Sequence, residues 1–139
     1  MYEFHGWATI RAIFENVDID NEEQIMNIVV NKIKQHIGEL NWQHGVLDIR
    51  AINAEFHVWT SGNHNHKPTG EYCPIEFFKY IAQIAPGSYG ILYVLDDEDL
   101  INDNDNYFKV FVLAKGKITE HRDSYLSPFI PTVESFPLD

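Results

Sequence analysis

The stretch from Ser88 to Lys115 constrains the fold more than any other. It reads as strand, acidic loop, strand: Tyr89-Gly90-Ile91-Leu92-Tyr93-Val94-Leu95, then Asp96 to Asn106, then Tyr107 to Ala114. Both flanks are rich in β-branched and aromatic residues and contain no proline, as a packed strand pair requires. The connection carries Asp96, Asp97, Glu98, Asp99, Asp103 and Asp105, with asparagines interleaved and no basic residue. Carboxylates crowded this way repel one another, so a rigid hairpin beneath them is expected. The stretch is read as a framework presenting a negative surface.

The rest of the chain supplies the partners for that hairpin. Tyr2 to Phe14 reads as a strand, with Gly6 between His5 and Trp7 marking a bulge or a close backbone approach. Asp20-x-x-Glu23 has the form of a capping box. The stripe Ile25, Val29, Ile33, Ile37 that follows predicts a helix stopped at Gly38. Val46 to Ala54 and Phe56 to Thr60 alternate as two strands joined near Asn53-Ala54-Glu55. Ser61 to Gly70 loses its apolar signal and reads as a polar surface loop. Pro74 suits the first position of a second helix that ends at Pro86-Gly87. Ile118-Thr119-Glu120 reads as a short last strand, and the proline-rich but apolar segment from Leu126 to Val133 as a tail pinned across the body.

These elements predict an α+β fold in the order βαββαββ: an antiparallel sheet of five to six strands with two helices packed on one face. A ferredoxin-like arrangement with an added edge strand fits. It would put the acidic Glu15–Glu23 connection and the Asp96–Asp105 loop at opposite ends of the sheet. An exposed edge strand could support a dimer, and the oligomeric state is open. At 139 residues the chain is expected to form one domain, 1–139, with no linker or repeat to divide it.

A net charge of −11 disfavours nucleic acid and anionic membranes as partners and favours a basic one, although acidity also serves solubility. Cys73, the single cysteine, cannot form an internal disulfide, and no run approaches the roughly 20 apolar residues of a membrane span. With no signal-peptide pattern at the start, a cytoplasmic location is the expectation.

Chemistry-bearing patterns are sparse. His64-Asn65-His66 would point two imidazoles the same way from an extended backbone, with His57 or a carboxylate brought in by folding to complete a metal site. Asp103-x-Asp105 begins like a calcium loop, but Phe108 stands where glycine is needed and Ala114 where a bidentate glutamate is needed. Cys73 at a helix start reads as a capping or packing residue. Trp42, between Asn41 and Gln43, is the tryptophan expected at a surface. No cofactor motif is present, so none is expected.

Several segments carry a family likeness. Glu3-Phe4-His5-Gly6-Trp7-Ala8-Thr9-Ile10, then Gly87 to Val94 running into Asp96-Asp97-Glu98, then Lys109 to Gly116, and finally Asp123 to Glu134 resemble, in that order, the bacterial immunity protein 7 family. The resemblance implies a non-enzymatic protein that binds a cognate polymorphic-toxin domain stoichiometrically and blocks it. On that reading Asp96, Asp97, Glu98, Asp99, Asp103, Asp105 and Trp42 are candidate toxin contacts, the acidic loop covering a basic site on the toxin. The alternative is a small metal-dependent enzyme or ligand-binding protein using His57, His64 and His66.

Overall fold

The computed structural model describes residues 1–13, 21–43 and 45–134. Strands are β1 (Tyr2–Ile10), β2 (Gly45–Ile52), β3 (Glu55–His64), β4 (Tyr89–Asp96), β5 (Lys109–Ala114) and β6 (Lys117–Arg122), with helices α1 (Glu22–Leu40) and α2 (Pro74–Ile84) between them. They form one antiparallel sheet in the order β2-β3-β1-β4-β5-β6. The first four strands interleave as in a ferredoxin-like fold, and two further hairpin strands, rather than one, extend it beyond β4. The fold is therefore α+β with both helices on one face.

Alternation decides which side chains meet those helices. Phe4, Ala8 and Ile10 of β1, Val58 of β3, Leu92 and Val94 of β4, and Phe111 and Leu113 of β5 are buried together with Val29, Val30 and Ile33 of α1 and Phe77, Phe78 and Ile81 of α2. The apolar stripe predicted for α1 is thus the face that packs. Gly6 does mark a close approach: a Cβ there would stand 2.8 Å from Leu92 Cδ1 and 3.0 Å from Phe78 Cζ.

Local signals were right in kind and sometimes wrong in extent. Pro74 opens α2 as expected, and the β2–β3 hairpin turns on Asn53 and Ala54, both at positive φ as a two-residue turn demands. Gly38 does not stop α1; the helix runs to Leu40 and ends on Asn41 in the left-handed conformation. Asn21 occupies its N-cap without a side-chain hydrogen bond, while Asp20 of the expected capping box lies outside the described residues. The predicted loop from Ser61 to Gly70 begins later than read, because β3 continues through Ser61-Gly62-Asn63-His64. β1 ladders all four of those polar residues, out to Tyr2↔His64, and β2 pairs with Ser61 and Gly62 from the other side. β4 leaves the sheet at Asp96, opposite Tyr2, so the acidic loop lies at the end away from Ile10. Residues 15–20 of the other acidic connection lie outside the described residues.

The tail is pinned as the sequence implied. Asp123, buried, accepts hydrogen bonds from the amides of Tyr125 (3.1 Å) and Leu126 (2.8 Å) and from Ser127 Oγ (3.0 Å). Phe129 meets Phe108 edge-on at 5.6 Å. Burial opposes the Asp123 charge, yet these donors hold its pKa below the ordinary 3.8. A folded value below the unfolded one means stability that is present above pH 3.8 and lost as pH falls through the lowered value. The urea midpoint should therefore drop between about pH 4 and pH 2. Asp123→Asn should cost about 2 kcal/mol at neutral pH and make that acid limb shallower; an unchanged limb would remove Asp123 from the cause.

Candidate functional site

The acidic loop is a built structure. After Asp96 the chain turns through Leu100 into a short 3-10 segment, Ile101–Asn106, in which Asn102 and Asp103 adopt positive φ. Two residues in a strained conformation need external support, and Arg122 of β6 provides it. Its Nη2 donates to the carbonyls of Asn102 (3.0 Å) and Asp103 (3.2 Å), while the guanidinium lies 3.5 Å over the Tyr107 ring. Asp99 ties the base: it takes Lys109 Nζ at 2.8 Å and the amide of Ile101 at 3.2 Å. The hydrogen bond from Lys109 is the largest reason that the Asp99 pKa is lowered. Burial works against the Lys109 charge, but Asp99 and Glu120 outweigh it and raise its pKa.

The carboxylates divide into two groups that sequence alone could not separate. Asp97 pairs with the amino terminus at 2.6 Å, Glu98 with His66 Nδ1 at 2.5 Å, and Asp96 accepts the amide of Glu98 at 3.1 Å. With Asp99 these four brace the loop, both within itself and against the amino terminus, His66 and Lys109. Asp103, exposed, and Asp105, half-buried, make no side-chain ion pair or hydrogen bond among the described residues.

At the head of this frame stand two aliphatic side chains, Leu100 and Ile101, 74% and 72% exposed. In the sequence they are visible only as part of an acidic loop. The available signal was chemical: two large aliphatics adjacent in an otherwise polar connection have no core to join, so they either fold back or stand out. Here Asp99 and Arg122 fix the backbone on either side, and they stand out. Ile101 also borders a hollow of about 350 Å³ with Tyr2, Ile75 and Lys109. Lys67, Ile75, Lys109 and Phe111 are shared with a larger cleft of about 1140 Å³ along α2 and β6.

The other candidates do not gather. His57 lies on the face away from the helices, 6.2 Å from Trp59. His64 belongs to the opposite face, stacked on Phe4 at 5.7 Å, and His66, beyond the strand end, reaches Glu98. Among the described residues no three His, Cys, Asp or Glu side chains are placed to hold a metal ion. His64, the last residue of β3, and His66, past the strand end, serve different contacts, the one with Phe4 and the other with Glu98. Trp42 packs edge-on against Phe4 at 5.8 Å, half-buried. Cys73 is the buried N-cap residue of α2, with Sγ 3.9 Å from the Tyr2 hydroxyl; burial pushes that phenol well above its ordinary pKa.

A second surface emerges from the sheet register. Trp59, Trp7, Ile91 and Val112 form one row across β3, β1, β4 and β5 on the helix-free face. Trp7 is 42% exposed and Tyr89 40%, their rings edge-on at 6.3 Å. Aromatic residues are enriched at the cores of protein interfaces relative to the rest of the surface.

The described residues thus combine an α+β fold with a braced acidic loop and an open aromatic sheet face. The Immunity protein 7 family model matches residues 1–135, and the chain belongs to that family. It is thereby an immunity protein of the polymorphic-toxin type, whose partner is a cognate toxin protein and whose family is typically non-enzymatic. Comparison with curated proteins and with solved structures gave no match. Among the described residues no helix is long and apolar enough to cross a membrane.

Proposed function

We propose that this protein neutralises its cognate toxin domain by stoichiometric binding, with the loop Asp96–Asn106 seated over a basic active site. The observation that carries this reading is the exposed Leu100–Ile101 pair, held on either side by Asp99 and Arg122 in a loop dense with carboxylates. A fixed apolar pair supplies contact area at little ordering cost, and the surrounding charge speeds encounter with a cationic cleft. Toxins that cleave nucleic acid need such a cleft to hold phosphates, which makes them suitable partners for an acidic plug.

The test must separate charge used for binding from charge used for folding. Asp96, Asp97, Glu98 and Asp99 brace the loop, so neutralising them would confuse the two. Asp103 and Asp105 are free for the purpose, and asparagine tolerates the positive φ of Asp103. The D103N/D105N variant should bind the toxin domain encoded beside this gene about 10-fold more weakly at low salt, with a shallower salt dependence. Titration calorimetry at two salt concentrations reads both. Identical affinity and slope would take the loop's charge out of the interface.

The helix-free face supports a second reading, in which Trp7, Trp59 and Tyr89 make the toxin contact and the loop does not. Trp7→Ala would then abolish binding that D103N/D105N leaves intact.

A further inference from the structure

β2 forms one edge of the sheet, and its outer side carries a self-complementary pattern. The strand reads Gly45-Val46-Leu47-Asp48-Ile49-Arg50-Ala51-Ile52, eight residues with no proline and no lysine, the usual means of blunting an edge. The backbone amide of Ile49 is not used by β3; it donates to the Asp48 carboxylate at 2.9 Å. By alternation the amides and carbonyls of Leu47, Ile49 and Ala51 all face outward from the sheet. Val46 and Ile52, on the helix-free face, are exposed large apolar side chains.

We propose that β2 pairs antiparallel with β2 of a second copy of this chain, about a two-fold axis through Ile49, joining the two sheets into one continuous sheet. Three features select this register. The outward groups of Ile49 meet those of Ile49 in the partner copy, and Leu47 meets Ala51, so the outward edge groups satisfy one another. Asp48 falls opposite Arg50 of the other copy, and by symmetry Arg50 falls opposite Asp48. Val46 falls opposite Ile52, again twice. A two-fold interface must be complementary to itself, and a register one step along would set Asp48 against Asp48 or Arg50 against Arg50.

In the single chain Asp48 and Arg50 already pair, Arg50 Nε lying 2.7 Å from Asp48 Oδ2 with both side chains largely exposed. Pairing of two copies exchanges that contact for the same one across the axis and replaces the Asp48 cap on Ile49 with a backbone ladder. The overall −11 charge of each chain opposes approach, but the acidic loop lies between β4 and β5, away from the β2 edge of the sheet. At physiological ionic strength the Debye length is about 8 Å, which screens that repulsion. The proposal rests on the edge alone and stands or falls independently of how the loop meets a toxin.

Sedimentation equilibrium on the purified chain, at concentrations from about 1 μM to 1 mM, tests it. The weight-average mass should rise from 16.2 kDa toward twice that value. A mass constant at that of one chain throughout would overturn the proposal. D48R alone and R50D alone place like charges across the axis and should each remain single chains. An equimolar mixture of the two should form a heterodimer, since every facing pair is then opposite in sign. Failure of the mixture to associate, or association by either variant alone, would overturn the register. Should a single variant fail to fold by circular dichroism, the D48R/R50D chain decides: it restores complementarity and should dimerise like the parent, and a single-chain mass would count against the proposal.

Discussion

Replacing Gly90 with alanine should destabilise the protein by about 3 kcal/mol or more, the upper range for an overpacked core site. A Cβ at Gly90 would stand 2.1 Å from the Trp7 carbonyl oxygen and 2.7 Å from Ala8 Cα. Both atoms are backbone of β1, so no rotamer change relieves the clash. β1 cannot retreat either, because it is laddered to β3 along its whole length, Tyr2 to Ile10. Glycine here permits an approach between central strands that any side chain would forbid. Gly38 supplies the opposite case. It lies inside α1, nothing stands within 4 Å of a Cβ built on it, and its cost is conformational entropy alone. Gly38→Ala should therefore stabilise by about 0.5–1 kcal/mol. Urea unfolding followed by tryptophan fluorescence reads both. Equal effects from the two would show that the β1–β4 spacing is softer than the geometry indicates.

The same contrast explains what was legible in the sequence. Periodicity marks the groups that face the core, so α1, α2 and the flanks of the β4–β5 hairpin could be read from local pattern. Ser61 to His64 could not, since those residues are strand because of ladders to β1 and β2 rather than because of their side chains. Gly38 looked like a helix stop from its chemistry, yet Asn41 performs that task in the left-handed conformation. For the loop, the density of carboxylates was visible, and so was the hairpin that holds them. Their division was not: the partners of Asp97 and Glu98 are Met1 and His66, 96 and 32 residues away along the chain. Long-range pairing of this kind leaves no trace in spacing. The helix-free row of Trp59, Trp7 and Ile91 is hidden for the same reason, since it exists only once the register of three strands is set.

Simultaneous replacement of Leu100 and Ile101 by alanine should weaken toxin binding by about 100-fold or more while changing stability by less than about 0.5 kcal/mol. The two readouts separate because these side chains are mostly in solvent in the free protein; folding loses little when they are cut back. On binding, each would bury an aliphatic side chain, about 1.5–3 kcal/mol apiece, in a frame already ordered by Asp99 and Arg122. Most of the loss should appear as faster dissociation, whereas D103N/D105N, acting through steering, should mainly slow association. Surface plasmon resonance with the toxin domain resolves the two rates. If L100A/I101A binds normally and Trp7→Ala does not, the toxin rests on the open sheet face and the loop is a structural feature of this chain. If the tip variant instead loses affinity and the aromatic face tolerates change, the carboxylate frame exists to hold two apolar side chains where a basic cleft can receive them. The division between braced and unbraced carboxylates then follows: four keep the tip rigid, and Asp103 and Asp105 remain for the charge of the partner.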